Sequence, residues 1–228
     1  MTNIALIHPT VRPKEAVATH KKWMSTANTP NRIKYIFVVD TEDQAEEIRV
    51  LKLNANVVVM HKNDVKSCVA ATNKGALFAC RYYQPEIYFM LNDDFNEPTE
   101  AWDTELVRAF PSLTEPHCLH VDEQLRTDDH VAIVIMNGAR YKYLGYMLHP
   151  DFKSMYCDDW HGWLSRQDGV LVDVRDKIKV KHNHWGAGLR QPDAADVTHS
   201  FPQRYIDGQA VFERLKEEYY KSPNNMAR

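Results

Sequence analysis

Three short clusters of acids and histidines in this 228-residue chain carry the residue types needed to handle a metal-bound phosphate. The first is Asn92-Asp93-Asp94, which closes the apolar run Ile87-Tyr88-Phe89-Met90-Leu91. That run has the length, apolarity and β-branched or aromatic content of a buried strand. Acids at the carboxyl end of such a strand stand where open α/β sheets place their ligand crevice. Hard carboxylate oxygens there suit Mg²⁺ or Mn²⁺, and those cations suit a diphosphate. The second cluster is Asp158-Asp159, next to Trp160 and Trp163, and the third is His182-Asn183-His184. A cation held by one carboxylate and one imidazole from separate elements would neutralise charge on a leaving diphosphate. A second carboxylate, free of the metal, can take the proton of an acceptor hydroxyl. Each cluster also has a plainer reading. Asn and Asp end strands, paired acids cap helices, and an isolated pair of histidines two apart is commonly a surface feature.

The elements that must position these clusters follow from periodicity. Residues 4–7 form a first buried strand, broken by His8-Pro9-Thr10-Val11-Arg12-Pro13, and Pro13 starts a helix over 13–24. Strands at 35–39, ending in Asp40, and at 57–60 alternate with helices at 42–53 and 70–82 before the strand at 87–91. This β-α-β-α-β-α-β order implies a parallel sheet with right-handed crossovers. A loop near Asn73-Lys74-Gly75 would bring Lys74 over an anionic ligand; the plainer reading is a solvated lysine. In the second half, the pattern predicts a helix over 102–109, a strand over 130–136, a short helix over 140–145 and a helix opening at Asp158-Asp159. A β-hairpin-like pair, 170–174 and 177–182, would flank Arg175-Asp176, with Ile178, Val180, His182 and His184 on one face. A polar tail over 191–202 precedes an amphipathic helix over 208–220.

Composition narrows the class. Hydrophobic content of 44% and charged content of 26% are those of an ordinary soluble globular chain. No apolar run approaches the roughly 20 residues needed to span a bilayer, and the N-terminus lacks a basic leader, so a cytoplasmic protein is expected. Cys68, Cys80, Cys118 and Cys157 form no CxxC pair and read as reduced thiols. A net charge of −3 argues against a globally basic nucleic-acid binder.

In order, Pro9-Thr10-Val11-Arg12-Pro13, Val38-Val39-Asp40, Asn73-Lys74-Gly75, Asn92-Asp93-Asp94, Asp158-Asp159 and a late His182 resemble the GT-A glycosyltransferases. The likeness is to the family-2-like inverting enzymes, small phage-encoded members in particular, and covers about the first 190 residues. It implies an α/β fold of GT-A type: a Rossmann-like, mostly parallel sheet flanked by helices, with a smaller acceptor-side β region. The chain would be one domain, with a nucleotide-sugar-binding half (1–95), an acceptor and catalytic half (96–190) and a C-terminal tail and helix (191–228). By resemblance, Pro9, Thr10, Arg12 and Asp40 would surround the base and ribose of the donor. Asn73 and Lys74 would approach the base or diphosphate, and Asn92 and Asp93 the ribose or sugar. Asp94 would hold Mn²⁺ or Mg²⁺ with His182, His184 being the alternative. Asp159 would be the catalytic base, with Asp158 as the alternative.

Two departures from the family pattern stand out. The usual DxD becomes Asn92-Asp93-Asp94, and the usual Glu-Asp becomes Asp158-Asp159. The implied activity is transfer of a sugar from a nucleoside diphosphate sugar, UDP-linked first, to a hydroxyl acceptor with inversion. One implied acceptor is a hydroxymethylated pyrimidine in phage DNA, which would place the enzyme in host cytoplasm. Arg126, Arg140, Lys142, Lys153, Arg166, Lys177, Lys179 and Lys181 all fall in the acceptor half. The rivals are a cell-envelope saccharide or lipid-linked acceptor, a nucleotidyltransferase, and a non-catalytic nucleotide-binding protein. Pro9 to Pro13 contains no glycine, which disfavours the nucleotidyltransferase.

Overall fold

The N-terminal apolar run enters the interior as strand β1 (Ile4–Pro9), and helix α1 (Pro13–Ser25) follows with its proline at the first helical position. Strand β2 (Ile33–Val39), helix α2 (Glu42–Arg49), strand β3 (Asn56–Val59), helix α3 (Cys68–Tyr82) and strand β4 (Ile87–Met90) complete the first half. Thr41 and Gln44 form a capping box at the start of α2, and Ser67 caps α3. The second half supplies β5 (Phe95–Asn96), α4 (Trp102–Ala109), β6 (Cys118–His120), β7 (Ile135–Asn137), α5 (Gly138–Leu144) and α6 (Cys157–Gln167). It continues with β8 (Leu171–Asp173), β9 (Lys181–His182), α7 (Ala194–His199) and α8 (Pro202–Lys221). The computed structural model describes residues 3–199 and 201–222; residues 1–2, and residues 200 and 223–228 of the expected C-terminal tail, lie outside the described residues.

Seven strands form one sheet in the order β3-β2-β1-β4-β7-β6-β8. Strands β3, β2, β1 and β4 run parallel, β7 is antiparallel to β4 and β6, and β8 is parallel to β6. Parallel strands covered on both faces must be apolar on both, and β1, β2 and β4 are buried along nearly their whole length. Ile4, Leu6, Tyr35, Phe37 and Phe89 pack on one side with Trp23 and Trp102. Ala5, Ile7, Ile36, Val38, Tyr88 and Met90 pack on the other, with Ala76 of α3 and Trp160 of α6. The expected mostly parallel α/β sheet, flanked by helices, is therefore present, with β5 and β9 as a small second sheet. No helix among the described residues is long and apolar enough to cross a membrane. All four cysteines are free thiols.

Several expectations need correcting. The runs at 170–174 and 177–182 do not pair with each other: β8 joins β6, whereas β9 pairs antiparallel with β5. The turn at Arg175-Asp176 resembles a hairpin turn, but the hydrogen-bonding edges on offer belong to distant strands. Regular pairing over 130–136 is confined to its end at β7, and the last helix begins earlier, at Pro202. Helix α2 stops at Arg49 rather than 53, ahead of Lys52 with φ of 51°.

The expected loop at Asn73-Lys74-Gly75 lies inside α3. Gly75 is there for contact, since a Cβ at this position would meet Ile7 Cγ2 at 2.6 Å and Val38 Cγ2 at 2.8 Å. Its absence lets α3 lie directly on β1 and β2. Gly75→Ala would gain about 1 kcal/mol of helix propensity. Overpacking against two stiff β-branched side chains costs about 1–3 kcal/mol. The expected outcome is a net loss of up to about 2 kcal/mol in denaturant unfolding. An unchanged or raised midpoint would show that the contact yields freely.

Candidate functional site

Strands β1, β2 and β4 all end at one edge of the sheet, and the chain after each turns outward. The loops there enclose a cleft of about 600 Å³. Its walls include Pro9, Thr10, Arg12, Asp40, Asn92, Asp93, Asp94, Asp158, Asp159, His182 and His184. The two halves of the sequence thus meet at the crevice expected for an open α/β sheet.

The turn carrying the first acid cluster is held from beneath by α1. Thr19 Oγ1 donates to the Asp93 carbonyl at 2.9 Å, and Trp23 Nε1 donates to the Phe95 carbonyl at 2.8 Å. Trp102 Nε1 donates in turn to the Trp23 carbonyl at 2.9 Å. These buried ring donors need partners, so satisfying them fixes the backbone that presents Asp93 and Asp94.

Asp93 and Asp94 face different surroundings. Asp93 Oδ1 is 2.8 Å from His8 Nε2, whose Nδ1 is 2.6 Å from the buried Tyr35 hydroxyl. Thr10 Oγ1 donates to Asp93 Oδ2 at 3.1 Å, and Arg12 lies 3.6 Å from the same oxygen. Thr10 is therefore a brace for Asp93 as well as a cleft residue. Asp94 Oδ2 lies 3.5 Å from His182 Nε2 and 3.8 Å from Arg190. Burial opposes its ionisation, but His182 and Arg190 outweigh that and hold its pKa below the usual carboxylate value.

His182 reaches the cleft because β9 pairs with β5, the segment that follows Asp94 directly, and Asn183 N donates to the Asp94 carbonyl at 2.9 Å. Ile178 and Val180 point inward and Lys179 and Lys181 outward, so the alternation expected from sequence persists to His182. His184 has left that strand. Its Nδ1 accepts from Gly186 N at 3.1 Å while its ring stays 5.0 Å from that of His182. The other nitrogen of His182, Nδ1, lies 2.5 Å from Glu123 Oε2. Burial alone would lower the His182 pKa, but Asp94 and Glu123 outweigh it and lift it to about 9. A divalent cation at Nε2 would take the place of that proton. One carboxylate, one imidazole nitrogen and the oxygens of a diphosphate form a donor set that suits Mn²⁺ or Mg²⁺.

Asp158 and Asp159 lie in the first turn of α6, after Cys157 and the capping Tyr156, which is in the left-handed region at φ of 68°. His130 sits between them, Nε2 3.1 Å from Asp158 Oδ2 and Nδ1 3.2 Å from Asp159 Oδ1. Burial works against a charged ring, but the two carboxylates prevail and raise the His130 pKa to about 10. These three side chains are close enough to hold a cation. Without a cation, the protonated ring answers both carboxylates through its two N–H groups. Asp158 Oδ1 also accepts from Asp159 N at 3.1 Å. Asp159 is the more open of the two, its side chain 41% exposed against 30%.

Asn73 and Lys74 are not in the cleft lining. Asn73 Nδ2 donates to the Leu148 carbonyl at 2.7 Å, and Oδ1 accepts from Met147 N and Leu148 N, which ties α3 to the loop before α6. Lys74 pairs with Asp64 at 2.6 Å. The lysine that lines the cleft is Lys66, whose Nζ donates to the Asp40 carbonyl at 2.9 Å. Arg12 lies at the cleft but spends its guanidinium on Asp193 and Asp196, and Asp196 also accepts from Arg190. Sequence reasoning missed Glu123, His130 and Arg190. None belongs to a short motif, and each reaches the site only through long-range folding.

No protein-family model and no curated protein matches this sequence. Several solved structures do share its architecture. A fragment of S. aureus TarS in complex with UDP-GlcNAc aligns with a TM-score of 0.63 at 14% identity, covering 97% of this chain and 68% of that one. The mannosyltransferase PcManGT from Pyrobaculum calidifontis, in complex with GDP-Man and Mn²⁺, gives 0.59 at 13% identity, covering 99% and 77%. A Drosophila β1,4-galactosyltransferase 7 mutant, with manganese, UDP-Gal and xylobiose, gives 0.55 at 13% identity, covering 91% and 79%. The chain has the GT-A fold of these glycosyltransferases.

Proposed function

We propose that the chain is a metal-dependent glycosyltransferase, moving a sugar from a nucleoside diphosphate sugar, UDP-linked first among them, to a hydroxyl acceptor with inversion. The observation that carries this reading is the meeting of Asp94 and His182 with Asp158 and Asp159 across one cleft at the carboxyl edge of a GT-A sheet. Asp40 and the braced Asp93 would face base and ribose, and a lysine contact would come from Lys66 rather than Lys74. Asp94 and His182 would hold Mn²⁺ or Mg²⁺, which when bound supplies positive charge for the departing diphosphate. Arg190, beside Asp94, can exchange Asp196 for a phosphate oxygen. The acceptor oxygen attacks the anomeric carbon as the bond from that carbon to the diphosphate oxygen breaks. The bonding pair leaves with the diphosphate, and the hydroxyl proton passes to Asp159.

The cleft chemistry favours a saccharide hydroxyl over DNA as acceptor. Its walls carry Asp40, Asp93, Asp94, Glu123, Asp158, Asp159 and Asp196 against Arg12, Lys66, Arg126, Arg190 and the protonated His130 and His182, so acids are not outnumbered. A DNA backbone calls for an excess of basic groups. Three of the basic residues of the acceptor half are already answered by acids. Arg140 is buried on Asp168, Arg126 pairs with Asp128, and Lys181 pairs with Glu97. Trp185 and Tyr205 line the cleft and offer aromatic faces of the kind that pack against the apolar side of a sugar ring. One of the similar structures described above contains xylobiose together with UDP-Gal and manganese.

Thermal unfolding with UDP-GlcNAc, UDP-Gal, GDP-Man and a nucleoside triphosphate, each with and without Mn²⁺, tests the reading. A ligand at 100 times its Kd stabilises by about 2.7 kcal/mol, or roughly 5–10 °C for a chain of this size. The expected outcome is a shift of that order with one of the nucleoside diphosphate sugars and Mn²⁺. A larger shift with the triphosphate would favour nucleotidyl transfer, and no shift with any of them would remove the donor site.

A further inference from the structure

Glu123 belongs to none of the sequence clusters, yet its carboxylate is among the most enclosed in the cleft wall, with the side chain 5% exposed. A carboxylate this buried persists only where its charge is answered. Oε2 is answered by His182 Nδ1, while Oε1 has no hydrogen-bond partner among the described residues. The backbone brings the two residues together. Val180 N donates to the Asp122 carbonyl at 2.8 Å and His182 N donates to the Glu123 carbonyl at 3.2 Å. Phe95 then packs edge-on against the His182 ring, with centroids 4.6 Å apart. The imidazole is thus held on one edge by a carboxylate and on one face by an aromatic ring, and its remaining nitrogen is directed at Asp94.

We propose that Glu123 is a positioning residue that keeps the His182 proton on Nδ1, so that Nε2 offers its lone pair to a divalent cation beside Asp94. The inference rests on the metal-dependent reading above. An imidazole with its proton on Nε2 would present N–H to the cation and could not bind it there. A carboxylate on Nδ1 selects the competent tautomer, fixes the ring plane and raises the basicity of the ligating nitrogen. The buried negative charge adds to that of Asp94, which further favours a dication over a neutral ligand.

Mn²⁺ binding to the full chain, read from the electron paramagnetic resonance signal of free Mn²⁺ in the presence of UDP, tests this without an activity assay. Glu123→Ala is expected to weaken Mn²⁺ binding about 10–100-fold, the usual cost of removing such an outer partner. Glu123→Gln keeps an acceptor for Nδ1–H but loses the charge, and its affinity should fall between those of Glu123→Ala and the parent. If Glu123→Ala does not fold, Glu123→Gln decides, and an affinity equal to the parent overturns the proposal. Asp94→Ala and His182→Ala separate the two levels of the argument. Loss of Mn²⁺ in both, with parental affinity in folded Glu123→Ala, overturns the role of Glu123 alone. Parental affinity in Asp94→Ala and His182→Ala overturns the metal site and the positioning role together.

Discussion

Asp159→Asn is expected to lower kcat for sugar transfer by about 10²–10⁴-fold while leaving binding of the Mn²⁺–nucleotide complex within a factor of a few. The amide matches the carboxylate in shape but cannot take the acceptor proton. The structure favours Asp159 over Asp158 because Asp158 is committed at both oxygens, Oδ1 to Asp159 N and Oδ2 to His130. Asp159 makes one contact with His130 and keeps the larger exposed fraction. Asp158→Asn should therefore act mainly by loosening the start of α6, with a smaller loss of kcat. Steady-state kinetics on both variants, paired with nucleotide titrations, separate the roles. Full transfer by Asp159→Asn, with Asp158→Asn inactive, would hand the proton to Asp158.

Asp94→Ala should produce a comparable or larger loss, through the metal rather than the proton. A bound cation contributes several kcal/mol of charge stabilisation to a departing diphosphate, so its loss corresponds to about 10³-fold in rate or more. His182→Ala should follow the same pattern, since the two side chains face one another at 3.5 Å. His184→Ala should cost much less. His184 lies beyond the end of β9, which aims His182 at Asp94, and its Nδ1 is engaged by Gly186 N. The discriminating readout is metal dependence: the parent and His184→Ala should gain activity as Mn²⁺ is added, whereas Asp94→Ala should stay flat. An Asp94→Ala enzyme with parental rate and parental Mn²⁺ response would remove Asp94 from the metal site.

What could be read in the sequence, and what could not, divides by the range of the interactions involved. Strands β1 to β4 were legible because a sheet buried on both faces needs continuous apolar runs, and Ile4, Ile36 and Phe89 lie in such runs. The acids were legible for a related reason: Asp94 closes one of those strands and Asp158 opens a helix, and polar residues at element ends carry positional meaning. Helix interiors were harder. Gly75 looks like a loop residue in Asn73-Lys74-Gly75, but it is small because Ile7 and Val38 lie against it, a contact between elements far apart in sequence. The partner strands of β8 and β9 were hidden for the same reason, because an extended segment does not name its neighbour. Glu123 and His130 show the limit most clearly. Each sits among other ionisable residues, Glu123 after Asp122 and His130 after Asp128-Asp129, with nothing in the spacing to single it out, and each takes its place from a side chain 59 or 28 positions away.

The most direct test of a metal-dependent donor site is a crystal of the chain grown with Mn²⁺ and UDP and measured for anomalous scattering. The expected result is a manganese peak bounded by Asp94, His182 Nε2 and the diphosphate oxygens, with His130 still bridging Asp158 and Asp159. A peak confined to the His130, Asp158 and Asp159 cluster, or UDP bound in the cleft with no metal at Asp94, would contradict it.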